Sequence, residues 1–176
     1  MKKFFISMCI ALTGLCATAQ EKGDMAVGVN LGAAPCLESG VSVTNFQIGA
    51  KFQYNISNPF RVEAAFDYGF KNKGIDMFDL AANVHYLIGL GEKFKLYPIV
   101  GVGFAHAKAS ASIDFEYDDE DYNYEVSASV NKFMFNAGLG AEYPVSDKLS
   151  IGAEIKYQYI QDFSRLPISV GVTYKF

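Results

Sequence analysis

Apolar and polar residues alternate one by one along almost the whole chain. The run at 167–176 shows it without interruption: Ile168, Val170, Val172, Tyr174 and Phe176 share one parity, while Ser169, Gly171, Thr173 and Lys175 share the other. A period of two is the mark of a β-strand with one greasy face. Seven further runs read the same way. Their apolar parities start at Met25, Phe46, Phe60, Phe78, Leu96, Phe133 and Leu149. Each lasts about ten residues, the length of a strand that crosses a membrane. The links at 55–59, 91–93 and 144–147 are short, and those at 35–44, 108–130 and 161–166 are longer, with 71–74 a short exception. This pattern predicts an all-β chain, an eight-stranded antiparallel up-and-down transmembrane β-barrel, as one domain over 21–176.

The face that looks inward separates a soluble barrel around a ligand from a barrel in lipid. The polar parity holds Lys51, Arg61, Glu63, Asp67, Asp79, Glu142, Glu154, Lys156 and Lys175, five acids against four bases, among many glycines. The apolar parity is free of charge at mid-strand and aromatic at its ends. Tyr54, Phe60, Tyr86, Tyr143 and Tyr174 make one ring, and Phe46, Tyr68, Phe78, Phe104, Phe133 and Tyr157 make the other. Aromatic girdles around an aliphatic belt match the two interfaces of a bilayer. The nine charged residues are therefore expected to line the lumen as an ion-pair network. A tight turn over 55–59 pairs Tyr54 with Phe60 and Phe52 with Val62, which sets Lys51 opposite Glu63.

The longest link is strand-like on both sides. Ile113, Phe115 and Tyr117 alternate with polar residues, as do Tyr122, Tyr124 and Val126, around the run Asp118, Asp119, Glu120 and Asp121. A turn centred on the four acids brings Phe115 to Tyr124 and Ile113 to Val126. The same register pairs Phe104 with Phe135, Val102 with Ala137 and Val100 with Leu139. Above the membrane the two faces exchange character. The parity that met lipid becomes Ser110, Ser112, Asp114 and Glu116, and the lumen parity becomes apolar. The segment reads either as a solvated tip or as a projecting sheet that grips a partner through Phe115, Tyr117, Asp118, Asp119, Glu120, Asp121, Tyr122 and Tyr124.

Composition adds limits. The chain has 15% aromatic residues and no Trp, so Tyr must fill the girdle places that Trp usually shares. A net charge of −4 without a basic cluster excludes nucleic acid as a partner. Residues 1–20 read as a cleaved signal peptide: Lys2 and Lys3, an apolar run over 4–16, then Ala17, Thr18 and Ala19 as a small-x-small site, with cleavage after Ala19 or Gln20. Cys9 and Cys16 leave with the leader, and Cys36 is left without an intrachain disulfide partner. No metal, phosphate or nucleotide motif is present, and no cofactor is expected. His106 with Ser110 or Ser112 is the one constellation that a lipid-modifying enzyme could use, and His85 points inward.

The leader, the eight alternating strands, the outer hairpin and the closing Tyr174, Lys175 and Phe176 resemble the small outer-membrane barrels of the OmpX/Ail type and the membrane domain of OmpA. The chain is also similar to the outer-membrane β-barrel domain proteins of Bacteroidota. The resemblance implies a monomer in the outer membrane of a Gram-negative bacterium, with both termini periplasmic. It implies contact with outer-membrane lipids and lipopolysaccharide, and with an extracellular protein or host-surface ligand. The implied role is non-enzymatic, in adhesion or envelope support; a lipid-modifying enzyme and a small porin-like channel are the alternatives.

Overall fold

The computed structural model describes residues 22–38, 43–72, 75–91, 93–117 and 120–176; the side chains of 109–127 lie outside that description, as do the leader at 1–20, Asp118 and Asp119. Among the described residues ten strands appear: β1 (Met25–Pro35), β2 (Thr44–Asn55), β3 (Phe60–Asn72), β4 (Ile75–Tyr86), β5 (Ile88–Leu90), β6 (Phe94–Tyr117), β7 (Glu120–Pro144), β8 (Leu149–Ile160), β9 (Phe163–Arg165) and β10 (Ile168–Lys175). Each pairs antiparallel with its neighbour, and β10 pairs with both β8 and β1, which closes the sheet. The short β5 continues β4 against β6, and β9 continues β10 against β8. The result is a closed barrel of eight staves.

Closure leaves only two places for side chains, and the alternation sorts them. Val170 is 63% exposed and Leu139 is 61% exposed on the outside, whereas the side chains of Lys51 and Glu154 are 8% and 5% exposed inside. A soluble barrel has the opposite arrangement. The outer surface is apolar from end to end of the wall, and its rims are aromatic. At the end that carries Met25 and Lys175, Phe60 packs edge-on against Tyr86 at 5.3 Å. At the other end Phe104 meets Phe133 at 5.6 Å and Phe133 meets Phe135 at 5.0 Å.

Two registers differ from the sequence expectation, each by two residues. Tyr54 faces Val62 and Phe52 faces Ala64, so Lys51 lies opposite Ala65 and Gln53 lies opposite Glu63. In the long hairpin Phe115 faces Tyr122 and Ile113 faces Tyr124; lower down, Phe104 faces Phe133, Val102 faces Phe135 and Val100 faces Ala137. The strands run to Tyr117 and resume at Glu120. The sequence expectation centres the turn on four acids, and the position of the turn sets hairpin register. A shift of two keeps every side chain on its own face, so the inside and outside sets are unchanged.

Candidate functional site

The lumen is packed in tiers. Nearest the terminal end, Arg61 Nη1 donates to Glu142 Oε2 at 2.8 Å, and Arg61 Nε donates to His85 Nδ1 at 3.1 Å. That acceptor role leaves the imidazole proton on Nε2, which lies 3.7 Å from Glu63 Oε1. The guanidinium also sits 4.7 Å from the centre of the Tyr97 ring, and His85 stacks on the same ring at 4.9 Å. Small residues on the facing strand make room for this aromatic slab. A Cβ on Gly140 would come within 2.1 Å of Tyr97.

The next tier is ionic. Lys51 Nζ donates to Glu154 Oε1 at 2.7 Å and lies 3.9 Å from Glu63, and Tyr97 Oη donates to Glu154 at 3.0 Å. Lys156 Nζ stands 3.5 Å from Glu154 and 3.9 Å from Asp67. Amides complete the carboxylates. Gln53 and Asn83 donate to Glu63 at 2.8 and 3.0 Å, and Asn30 donates to Asp67 at 2.8 Å. Pairing of this density is what buried charge requires, because an ion left alone in a dry interior costs several kcal/mol.

At the hairpin end the lumen turns apolar. Met77, Ala81, Ala105, Met134 and Ile160 form one buried cluster, with Phe163 against it. Arg165 reaches beneath that cap to Asp79 and donates to Gln158 Oε1 at 2.6 Å. Its strand continues β10 against β8 and is tied to the end of β1, where Leu166 N donates to Pro35 O and Leu37 N donates to Ser164 O.

Eight of the nine charged residues expected in the lumen stand in these tiers. Lys175 is the outlier: its side chain is 37% exposed at the terminal end and pairs with Asp24 at 3.4 Å. Lys51 and Glu63 approach diagonally, and the shorter bond of Lys51 goes to Glu154. Sequence reading passed over Arg165, Tyr97 and the amides at Gln53, Asn83, Asn136 and Gln158. A signal was present: each lies on the lumen parity of its strand, and Arg165 continues the parity of Pro167 and Ser169.

The second candidate is the β6–β7 hairpin. β4 follows β6 only to the pair Ile75–Ala109, and β8 follows β7 only to Met134–Ile160. β6 and β7 stay paired to each other up to Tyr117–Glu120. At about 3.3 Å per residue, the eight residues past Ala109 carry the ribbon about 26 Å further. The register sets Phe115 opposite Tyr122, Tyr117 opposite Glu120, Glu116 opposite Asp121 and Ile113 opposite Tyr124, while Asp118 and Asp119 lie outside the described residues. At its base His106 Nδ1 lies 2.7 Å from Asn131 Oδ1, and the ring stacks on Phe78 at 4.8 Å. The side chains of Ser110 and Ser112 lie outside the described residues. Among the described residues no group of His, Cys, Asp and Glu could hold a metal ion.

The profile of the outer membrane protein beta-barrel domain family matches residues 7–176. No curated protein sequence matches the chain. Among solved structures, Neisserial surface protein A is similar over 86% of this chain and 97% of its own, with 17% identity and a TM-score of 0.69. Ail, the attachment invasion locus protein of Yersinia pestis, is similar over 88% and 99%, with 19% identity and a TM-score of 0.56. It has also been solved in complex with the heparin analogue sucrose octasulfate. The N-terminal barrel domain of Pseudomonas aeruginosa OprF covers 89% and 100%, with 16% identity and a TM-score of 0.55.

Proposed function

We propose, from the premise that the chain belongs to the outer membrane protein beta-barrel domain family and so resides in the outer membrane, that it is a non-enzymatic surface protein whose β6–β7 ribbon meets an extracellular partner. The leader at 1–20 is removed on export, and the short-turn end with both termini faces the periplasm. The ribbon then stands clear of the lipopolysaccharide-bearing leaflet. One observation carries this reading: β6 and β7 are about twice as long as the other long staves, at 24 and 25 residues against 12 for β2. Nothing in barrel closure calls for that length. Exposed segments held on a rigid scaffold are where binding concentrates.

The ribbon also has a sign. Between Ala109 and Val130 the sequence has seven acids and no base. Ail was solved with a polyanionic ligand; an acidic ribbon selects a cationic partner instead. Removal of 110–127, with Ala109 joined to Ala128 through Asn-Gly, tests the reading. The truncated barrel keeps its mobility shift between boiled and unboiled samples on SDS electrophoresis, and cells that display it lose capture of a cationic extracellular matrix fraction. Capture equal to that of the full chain would remove the ribbon from the function.

A further inference from the structure

We propose that the lipid-facing wall at the terminal end holds one phospholipid with a phosphoethanolamine head, seated by the β7–β8 turn with an acyl chain in the groove beside it. The inference goes beyond the ribbon and does not depend on it. A groove of about 750 Å³ runs across the wall from β7 through β8 and β10 to β1. Tyr143, Ile151, Val172 and Val29 line it in one row, each opposite the next in the ladders. Two residues along β8, Ala153 lines it too and is exposed. Acyl chains meet the whole of this face, so the groove alone selects nothing. Selection comes from the turn at its mouth. Tyr174 and Leu149 lie opposite each other between the groove and that turn. Lys148 carries its ammonium back over the Tyr174 ring, 5.9 Å from the centre. Tyr174 is exposed on the wall, so the charge stands at the bilayer interface and not in the lumen. The turn itself is fixed. Lys175 N donates to Lys148 O at 2.7 Å, Val145 N to Leu149 O at 2.8 Å and Leu149 N to Ser146 Oγ at 3.1 Å. An ammonium resting on a girdle ring at the mouth of an apolar groove fits a lipid phosphate.

The neighbouring charge narrows the choice of head. Asp147 is exposed in the same turn, and among the described residues neither it nor Lys148 has an ion-pair partner. A site of bases alone favours any acidic lipid; a base beside an acid favours a head that carries both signs. Phosphoethanolamine offers a phosphate to Lys148 and, two carbons away, an ammonium to Asp147. Phosphocholine has the same net charge, but its trimethylated nitrogen donates no hydrogen bond. Phosphoglycerol has no cation to set against Asp147. The orientation proposed above puts this end in the phospholipid leaflet and not in the lipopolysaccharide-bearing one.

The test uses the full-length protein folded in detergent micelles, where orientation does not enter, so its failure leaves the ribbon reading and its deletion test untouched. Native mass spectrometry counts bound lipid as phosphatidylethanolamine, phosphatidylcholine or phosphatidylglycerol with identical chains is added. One phosphatidylethanolamine should be retained, about fivefold more tightly than either of the others, the scale of one exposed ion pair. Asp147→Ala should bring phosphatidylethanolamine level with phosphatidylcholine, and Lys148→Ala should weaken all three. Ala153→Phe fills the groove from the exposed wall without entering the lumen. It should weaken all three lipids while the gel mobility shift persists. Equal retention of phosphatidylethanolamine and phosphatidylcholine, a preference that survives Asp147→Ala, or full retention by Ala153→Phe overturns the site.

Discussion

Arg61 is the residue on which most of the terminal tier depends. It is fully buried, bonded to Glu142 and His85, and laid over Tyr97. Arg61→Ala takes from the buried Glu142 carboxylate its hydrogen-bonded counter-ion and leaves it only Lys95, the residue opposite it on β6. Breaking one side of a buried pair costs about 3–5 kcal/mol, whereas replacing both partners by apolar groups of similar volume is often neutral. Arg61→Ala should therefore lower the unfolding midpoint in urea, followed by the gel mobility shift, far more than the double change Arg61→Leu with Glu142→Leu. A double variant as damaged as the single one would mean that the pair contributes attraction and not only mutual compensation.

The strand is the scale at which the sequence was most legible and also where it fell short. Face assignment follows from parity, and parity was on the page: Leu139, Val170 and Val172 lie outside, Lys51 and Glu154 inside. Register does not follow from parity, because a slip of two residues leaves the same groups on the same faces. That is why the partners of Tyr54 and Phe104 were misplaced while their orientation was not. Arg165 escaped for a different reason. Its strand is three residues long, too short to display a period, and it lies in what read as an outer link. The lipid face of a stave carries its own prediction. Leu139 is at mid-wall and 61% exposed, so Leu139→Arg should cost about 2–4 kcal/mol in vesicles, against about 0–1 kcal/mol for Tyr174→Arg near the interface. Equal costs would show that the belt is not centred where the girdles place it.

At the scale of the whole molecule, the tiers decide whether anything passes through. An eight-stranded barrel has an interior just wide enough for side chains to fill, and here they do. Arg61, Tyr97 and His85 stack across the terminal end, and Met77, Met134 and Ile160 close the hairpin end. Between them the carboxylates of Glu63, Asp67 and Glu154 are each engaged by Lys, Tyr or amide groups, so an ion entering the lumen must displace bonds at every level. The barrel should show no resolved conductance steps in a planar bilayer in 1 M KCl. Truncating the aromatic and apolar closures together, as Tyr97→Ala with Met134→Ala and Ile160→Ala, is the change with the best prospect of opening a path. Steady steps from the unmodified protein would mean that the ionic tiers exchange partners fast enough to pass ions, and that the lumen is a pathway and not a filled core.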